Sequence, residues 1–394
     1  MKRVADPFLA VFILAAIAGA IAIMAVALEP GAPSLRWTDK DFANYWVAAG
    51  LALEGRIGEV FGPQAAYLAH MRSLFGADYP WHAWSYPPHY LLLMLPLGLL
   101  PYKAALLSFV TATFLFLCAA ARLACPRPRW WQLLLLLPPI LTNGIATQNG
   151  FLLSALMLAG LALRDRRPIV AGLCFGLLTV KPQLGVLLPL LLLWERQWVV
   201  IASASFTALA LVALSAAVFG VEAWTGYIDQ IIPYQTAVMR EAEGIFLHMM
   251  PTVYGSVRSL GGDAASAFTA HLPFAVAMLA LYGASLPRLA RPDMRAASTL
   301  FATTLAVPYL LNYDLVALII AAVLWTERGP LHPSWRRTLI GLSLIAMIMP
   351  GLGLLGWPVA PAVILAAWLG LLYRADGLPR PAGRRDAGGP TLRT

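Results

Sequence analysis

The chain has 394 residues, of which 60% are hydrophobic and only 12% are charged, with a formal net charge of +9. Soluble domains are about half apolar and about a quarter charged, so this composition excludes an ordinary water-soluble globular protein and predicts a chain that faces lipid. The apolar runs are continuous rather than alternating, which excludes a membrane β-barrel. The basic residues fall in short loops between these runs, which indicates orientation in a membrane rather than binding to nucleic acid.

The apolar segments predict an all-α polytopic membrane protein with about twelve transmembrane helices. The first run is longer than the core of a signal peptide and long enough to span, although small residues at 25–27 also fit a cleavage site. Several later helices are too short to cross ~30 Å alone, and they come in pairs broken by polar turns. The predicted helices lie at about 8–28, 104–122, 130–142, 150–163, 168–180, 184–195, 199–219, 269–288, 295–311, 313–326, 338–354 and 357–373.

This order of helices places most lysines and arginines in cytoplasmic loops, as expected for an inner-membrane protein. Both termini are therefore expected in the cytoplasm. Residues 1–373 are predicted to form a single integral-membrane domain, and the Gly-, Pro- and Arg-rich tail at 374–394 is expected to be disordered. Two long segments, 29–103 and 221–268, are expected on the extracytoplasmic side. The first is rich in aromatic residues and is predicted to form amphipathic helices.

Polar residues at the outer ends of the helices are the candidates for function. Asp41 is a candidate general base, because a carboxylate can deprotonate a hydroxyl acceptor during group transfer. The alternative is that Asp39 or Asp41 only caps the helix that follows. His82 and His248 are further outer candidates, although a lone histidine is more often structural. Their positions predict a site on the outer face.

Lys181 is the most informative single residue. It lies in the turn Thr179-Val-Lys181-Pro182-Gln183, which interrupts two apolar runs. A lysine at this depth costs several kcal/mol unless it is paired or solvated. One interpretation is that Lys181 binds an anionic head group such as a phosphate, and the alternative is that its side chain extends to the membrane surface.

The absence of other motifs narrows the function. The sequence has no nucleotide-binding loop, dinucleotide fingerprint, zinc-ligand spacing or nucleophile elbow, and no cytoplasmic globular domain is predicted. An enzyme of this kind needs an activated donor that reaches it through the membrane, as a polyprenyl-phosphate-linked donor does. A transporter or flippase also places polar groups at broken helices, and a scaffold subunit remains a further alternative. Charged groups on one face, rather than at the midplane, favour the enzyme.

Six short motifs follow one another along the chain. They are Asp41-Phe-Ala-Asn-Tyr45-Trp46, Tyr86-Pro87-Pro88, Gln148-Asn149-Gly150-Phe151, Asp165-Arg166-Arg167-Pro168, Lys181-Pro182-Gln183 and Tyr313-Asp314-Leu315. In this order they resemble the motifs of glycosyltransferase family 87 of the GT-C superfamily, and the resemblance is densest over residues 38–225. This family includes polyprenyl-phosphate-mannose-dependent α-mannosyltransferases.

The resemblance implies a GT-C membrane fold. We expect an inverting transfer that uses neither a metal nor a cofactor; the alternative is that Asp39, Asp41 and Asp314 together bind a divalent cation. The resemblance also implies that Asp41 is the catalytic aspartate. The implied partners are membrane lipids, a polyprenyl-phosphate-sugar donor, with mannose by analogy, and a lipid or glycan acceptor. The donor phosphate is expected to contact Lys181, Gln183, Gln148 and Asn149. Further substrate contacts are expected from Asp39, Tyr45, Tyr86, His248, Tyr313 and Asp314.

Overall fold

The computed structural model describes the chain with short gaps, and every regular element in the described part is helical. The described residues are 41–77, 79, 83–125, 128–325 and 333–376. The helix predicted at 8–28 lies outside them, as do Asp39, His82 and the tail beyond residue 376. The prediction of an all-α chain is therefore confirmed for the described residues, whereas the GT-C fold and the count of twelve spans stay predictions.

Among its described residues, the segment 29–103 forms four helices before the long apolar helix that follows. Eight of the twelve residues of the first helix are buried, so this segment packs as part of the protein core. The bounds are α1 Phe42–Leu53, α2 Ile57–Phe61, α3 Gln64–Phe75 and α4 Pro88–Gly98.

The remaining helices alternate between long apolar elements and short or interrupted ones. In the described part of the chain, four short turns of 3-10 or π type lie between these helices, at Leu178–Val180, Pro182–Gly185, Tyr227–Ile231 and Asn312–Leu315. The helices are α5 Tyr102–Ala124, α6 Trp130–Ala146, α7 Gly150–Leu163, α8 Pro168–Leu177, α9 Leu188–Trp194, α10 Trp198–Phe219, α11 Glu222–Gly226, α12 Ile232–Glu241, α13 Ile245–His248, α14 Val253–Ser259, α15 Ala264–Ser285, α16 Pro292–Ala306, α17 Val316–Leu324, α18 Pro333–Leu354 and α19 Ala360–Asp376.

Four helices in the described part are long and apolar enough to cross a membrane, namely α5, α10, α15 and α18. Their large apolar side chains point outward: Phe206 is 74% exposed, Leu209 69% and Leu272 66%. Exposed apolar surface on this scale is unfavourable in water but is what a lipid bilayer requires. The chain is therefore a membrane protein.

The helix predicted at 295–311 was placed too long. It ends at Ala306, and Val307 is extended. The reason is Pro308, because a proline disfavours helical backbone in the residue before it. The segment from Val307 to Leu311 thus leaves the helix and reaches the 3-10 turn Asn312–Leu315, from which α17 continues.

The broken helix pair predicted around Lys181 is confirmed. Helix α8 tightens into a 3-10 turn, a second 3-10 turn follows Lys181, and α9 then begins at Leu188. Gly172 and Gly176 of α8 have the backbone of α10 and the side chains of Ser203 and Thr207 directly against them. Such close approach through small residues is a common way to pack helices in lipid, and it fixes where the interrupted pair stands.

A buried ion cluster holds the opposite end of α7. Gly150 begins this 14-residue helix, and Arg164 follows its other end, so the two are separated by ~21 Å at 1.5 Å per residue. Glu195 accepts from Arg164 Nε at 2.6 Å and from Arg295 Nε at 2.6 Å. Arg164 also donates to the carbonyl of Pro292 at 2.7 Å. The cluster joins the loop after α7 and the loop after α9 to the first turn of α16, away from the polar turns at the other end.

Candidate functional site

The polar turns enclose a cavity of about 530 Å³. This volume is typical of small-molecule sites. Seven residues singled out from the sequence line it, namely Asp41, Tyr45, Tyr86, Gln148, Lys181, Gln183 and Tyr313. They come from α1, the segment before α4, the turn between α6 and α7, the broken pair α8–α9 and the turn before α17. Residues far apart in the sequence thus meet in one chamber.

Asp41 stands at the start of α1 and borders the cavity. Its position fits the interpretation that it only caps this helix, but its side chain makes no capping hydrogen bond, and its backbone is already helical. An N-cap residue normally has extended backbone and uses its side chain to bond the first free N–H groups. The structure therefore gives no support to capping, and the carboxylate belongs to the cavity wall.

A hydrogen-bonded group of three side chains connects α1 to the other walls. Gln148 Oε1 accepts from the hydroxyls of both Tyr45 and Tyr86, at 3.2 Å from Tyr86, and the two hydroxyls lie 3.1 Å apart. Tyr45 is one helical turn from Asp41, so this group fixes the helix that carries the carboxylate. Trp84 supports it by donating to the carbonyl of Tyr86 at 2.6 Å.

Lys181 forms a buried ion pair with Asp314. Its Nζ lies 2.7 Å from Oδ1 and 2.6 Å from Oδ2, and the exposed fractions of the two side chains are 7% and 0%. The carboxylate is fixed in turn, because Oδ2 accepts from the backbone N–H of Leu311 at 3.1 Å. The Lys181 ammonium also lies 5.2 Å from the ring centroid of Tyr313. The lysine is therefore held at the cavity wall and does not extend to the membrane surface.

The turn between α6 and α7 packs directly on the turn that carries Asp314. A methyl group at Gly150 would lie 2.6 Å from the backbone carbonyl of Tyr313 and would also meet the side chain of Asn143, so only glycine fits there. A small cavity of about 20 Å³, enough for one water, borders Asp314 on its far side. The turn that carries Gln148, the partner of Tyr45, thus also packs against the turn that carries Asp314, the partner of Lys181.

The segment 221–268, called the second outer segment from its predicted position, forms a further wall of the cavity. Gln235 on α12 donates to Ser85 Oγ at 2.5 Å, which joins this segment to the first one. The carbonyl of Met249 accepts from the backbone N–H of Asn312 at 2.9 Å. Tyr234 and Glu243 line the same wall, together with apolar residues of α12 and α13. The wall therefore offers polar and apolar surface side by side.

The tyrosines at the cavity stay neutral. Burial, Tyr90 and the carboxylates of Asp314 and Asp41 raise the pKa of Tyr86. Burial and the same two carboxylates raise the pKa of Tyr309. Because neutral phenols keep their protons, these hydroxyls remain available as hydrogen-bond donors.

Three predicted site residues do not line the main cavity. Asn149 is fully buried at the N-terminus of α7. The ring of His248 packs against the backbone of Gly353 in α18. Asp314 stands behind Lys181 and borders the small cavity. Asp314 lies within the 3-10 turn before α17 and accepts from the backbone N–H of Leu311, the residue that precedes this turn.

Several lining residues were missed from the sequence. Asn44 was detectable, because it follows Asp41 by three residues and so shares its helix face. Tyr309 follows Pro308, beyond the end of α16, and belongs to no motif recognised in the sequence. Tyr234, Gln235 and Glu243 belong to the second outer segment, whose sequence gave no pattern to interpret.

The comparison with protein families adds independent evidence. Residues 84–311, more than half of the chain, match glycosyltransferase family 87. The chain belongs to this family. No curated protein and no solved structure matches the chain. Family membership and the apolar helices together make the protein a membrane glycosyltransferase, and the cavity at its polar turns is the candidate active site.

Proposed function

We propose that this glycosyltransferase moves a sugar, mannose by family analogy, from a polyprenyl-phosphate-linked donor to a lipid or glycan acceptor, with inversion at the anomeric carbon. The observation that carries the proposal is that one cavity holds both a carboxylate, Asp41, and a buried ammonium, Lys181. Transfer from a sugar phosphate needs a base for the acceptor and positive charge for the departing phosphate. Family membership favours this over the transporter and the scaffold.

Asp41 acts as the general base. It takes the proton of the acceptor hydroxyl while the acceptor oxygen forms a bond to the anomeric carbon. The bond from that carbon to the phosphate oxygen breaks on the opposite side of the sugar, and the electron pair leaves with the polyprenyl phosphate. The reaction needs no activation of the donor by nucleotide or ATP.

Lys181 stabilises the departing phosphate. An ammonium has three N–H donors, and the two oxygens of Asp314 accept two of them. The third donor is left for a phosphate oxygen. Because Asp314 already compensates the charge and fixes the position of Lys181, the site is organised before the donor binds, which is the condition for strong electrostatic stabilisation. Gln183 and Gln148 border the same space and are proposed to contact the head group.

The proposed orientation places this cavity on the extracytoplasmic side of the inner membrane, with both termini in the cytoplasm. The support comes from the basic loops, since the Arg164 cluster lies at the end of α7 away from the cavity. Lysine and arginine are enriched in cytoplasmic loops. We also propose that residues 1–373 act as one domain.

The test is sugar transfer by purified protein in detergent. Radiolabelled polyprenyl-phosphate-mannose, -glucose and -galactose are offered separately with total membrane lipids. We expect the wild type to transfer sugar from one of these donors and Lys181→Met to lose this activity. Lys103→Met is the control and is expected to retain transfer, because Lys103 is an exposed lysine at the start of α5 that does not line the cavity. Absence of transfer from all three donors by folded protein would contradict the proposal. Movement of labelled lipid across vesicles by that protein would identify a flippase instead.

A further inference from the structure

Asn44 has a position that the proposed mechanism does not use. It follows Asp41 by one turn of α1 and borders the cavity, while 93% of its surface is covered, since its exposed fraction is 7%. Its backbone N–H donates to the carbonyl of Asp41 at 3.2 Å. Side chains three residues apart on a helix are neighbours. A molecule whose hydroxyl reaches Asp41 therefore passes beside the Asn44 carboxamide.

The side-chain oxygen of Asn44 is buried without a hydrogen-bond partner. Buried polar atoms in proteins are nearly always paired, and an unpaired one costs stability. The residue is nevertheless held firmly, because the hydroxyl of the fully buried Tyr67 on α3 donates to its backbone carbonyl at 3.1 Å. An unpaired oxygen on a fixed backbone at a cavity wall is explained if a ligand supplies the missing partner.

The position of Asn44 separates it from other buried amides. The side-chain oxygen of Gln64 is also buried and unpaired, but Gln64 does not line the cavity, and its amide nitrogen already donates to the carbonyls of Val60 and Gly62. Gln64 is thus accounted for as part of the packing between α2 and α3. Asn44 is the one of the two that borders the cavity.

We infer that the Asn44 carboxamide binds a substrate hydroxyl close to the hydroxyl that Asp41 deprotonates. A carboxamide presents an acceptor oxygen and a donor NH₂, and a hydroxyl both donates and accepts, so the two groups are complementary whichever end of the amide faces the cavity. The hydroxyl belongs either to the sugar of the donor or to the acceptor. Asn44 is then a specificity residue, and this role rests on the proposed function.

The experiment compares the wild type with Asn44→Leu, which removes the polar atoms at similar size, and Asn44→Ser, which keeps a neutral group that can both donate and accept a hydrogen bond. Gln64→Leu is the matched control for loss of a buried amide outside the cavity. We expect Asn44→Leu to lower kcat/KM about 10-fold or more, because a site built to bond a hydroxyl loses that bond. Its melting temperature is expected to equal or exceed that of the wild type, because an unpaired buried oxygen has been removed.

Two reactions distinguish the source of the hydroxyl. Release of free labelled sugar, with water as acceptor, reports on the donor alone, whereas transfer to lipid reports on donor and acceptor. Equal losses of both in Asn44→Leu assign the hydroxyl to the donor sugar, and loss of transfer alone assigns it to the acceptor. In either case Asn44→Ser is expected to restore part of the rate lost in Asn44→Leu. Gln64→Leu is expected to lower stability without changing kcat/KM.

The inference is overturned if the wild type transfers sugar and Asn44→Leu does so with unchanged kcat/KM. It is also overturned if activity falls only in step with the melting temperature, as a structural role predicts. In both cases the proposed function survives. If the wild type neither transfers nor hydrolyses any donor of the panel, the proposed function itself fails, and the inference fails with it.

Discussion

The buried pair of Lys181 and Asp314 allows a test that separates stability from catalysis. Removing one partner leaves the other charge buried and unpaired, which typically costs about 3–5 kcal/mol, whereas replacing both partners by neutral groups of similar size is often close to neutral. We therefore expect Lys181→Met and Asp314→Asn each to lower the free energy of unfolding by about 3–5 kcal/mol. The double variant is expected to regain most of this loss. All three variants are expected to lose transfer.

The physical reason is the burial of both groups, with exposed fractions of 7% and 0% for the side chains. The asparagine at 314 still accepts from the backbone N–H of Leu311, so the double variant keeps the turn while it removes both charges. The measurement is unfolding in mixed micelles, followed by intrinsic fluorescence, with transfer assayed on the same samples. The coupling free energy between Lys181 and Asp314 obtained from this double-mutant cycle is expected to be large and stabilising.

An exposed ion pair serves as the control. Arg56 and Glu59 on the first outer segment lie 2.7 Å apart with about 40% of each side chain exposed, and their removal is expected to change stability little. The reasoning would be refuted if Asp314→Asn were as stable as the wild type, since the charge on Lys181 would then not depend on its partner. A double variant less stable than either single variant would also contradict it.

Two further variants probe the frame around the site. Burial alone would raise the pKa of Glu195, but Arg164 and Arg295 outweigh burial and lower this pKa. The ionised Glu195 therefore stabilises the fold fully above its pKa in the unfolded chain, about 4.3, and this stabilisation is lost as the pH falls through its lower pKa in the folded protein. Glu195→Gln is expected to melt at a lower temperature than the wild type at pH 7, and this difference is expected to shrink below about pH 4. Thermal melts of both proteins across pH measure the difference, and equal melting temperatures at every pH would contradict the reasoning. Gly150→Ala is expected to displace the turn against Tyr313 and to lower transfer more than it lowers the melting temperature, and unchanged transfer would show that the close approach is not needed.

Much of the helical layout was predictable because it depends on local sequence. Long apolar runs gave α5, α10, α15 and α18, and the polar turn around Lys181 gave the broken pair. The overlong helix at 295–311 was avoidable, since Pro308 is visible in the sequence and acts on the residue before it. The apolar pattern alone concealed the break.

The partner of Lys181 was not predictable, because it lies 133 residues away and no local pattern connects the two. The sequence indicated that a lysine at this depth needs a partner or solvent to offset its energetic cost, but it did not identify which residue is the partner. Asp314 was recognised as part of a motif but was placed among the substrate contacts. The contribution of Tyr234, Gln235 and Glu243 also depends on tertiary packing, which folds the second outer segment over the cavity.

The most direct measurement of the central claim is sugar transfer by Asp41→Asn, with Asp263→Asn as the matched control and a parallel sample containing EDTA. Asp263 also precedes a helix, but it caps α15 by accepting from the backbone N–H of Ser266 at 2.7 Å. The account predicts that Asp41→Asn abolishes transfer although the protein remains folded, while Asp263→Asn and the wild type with EDTA both remain active. Full transfer by Asp41→Asn would contradict the assignment of Asp41 as the general base.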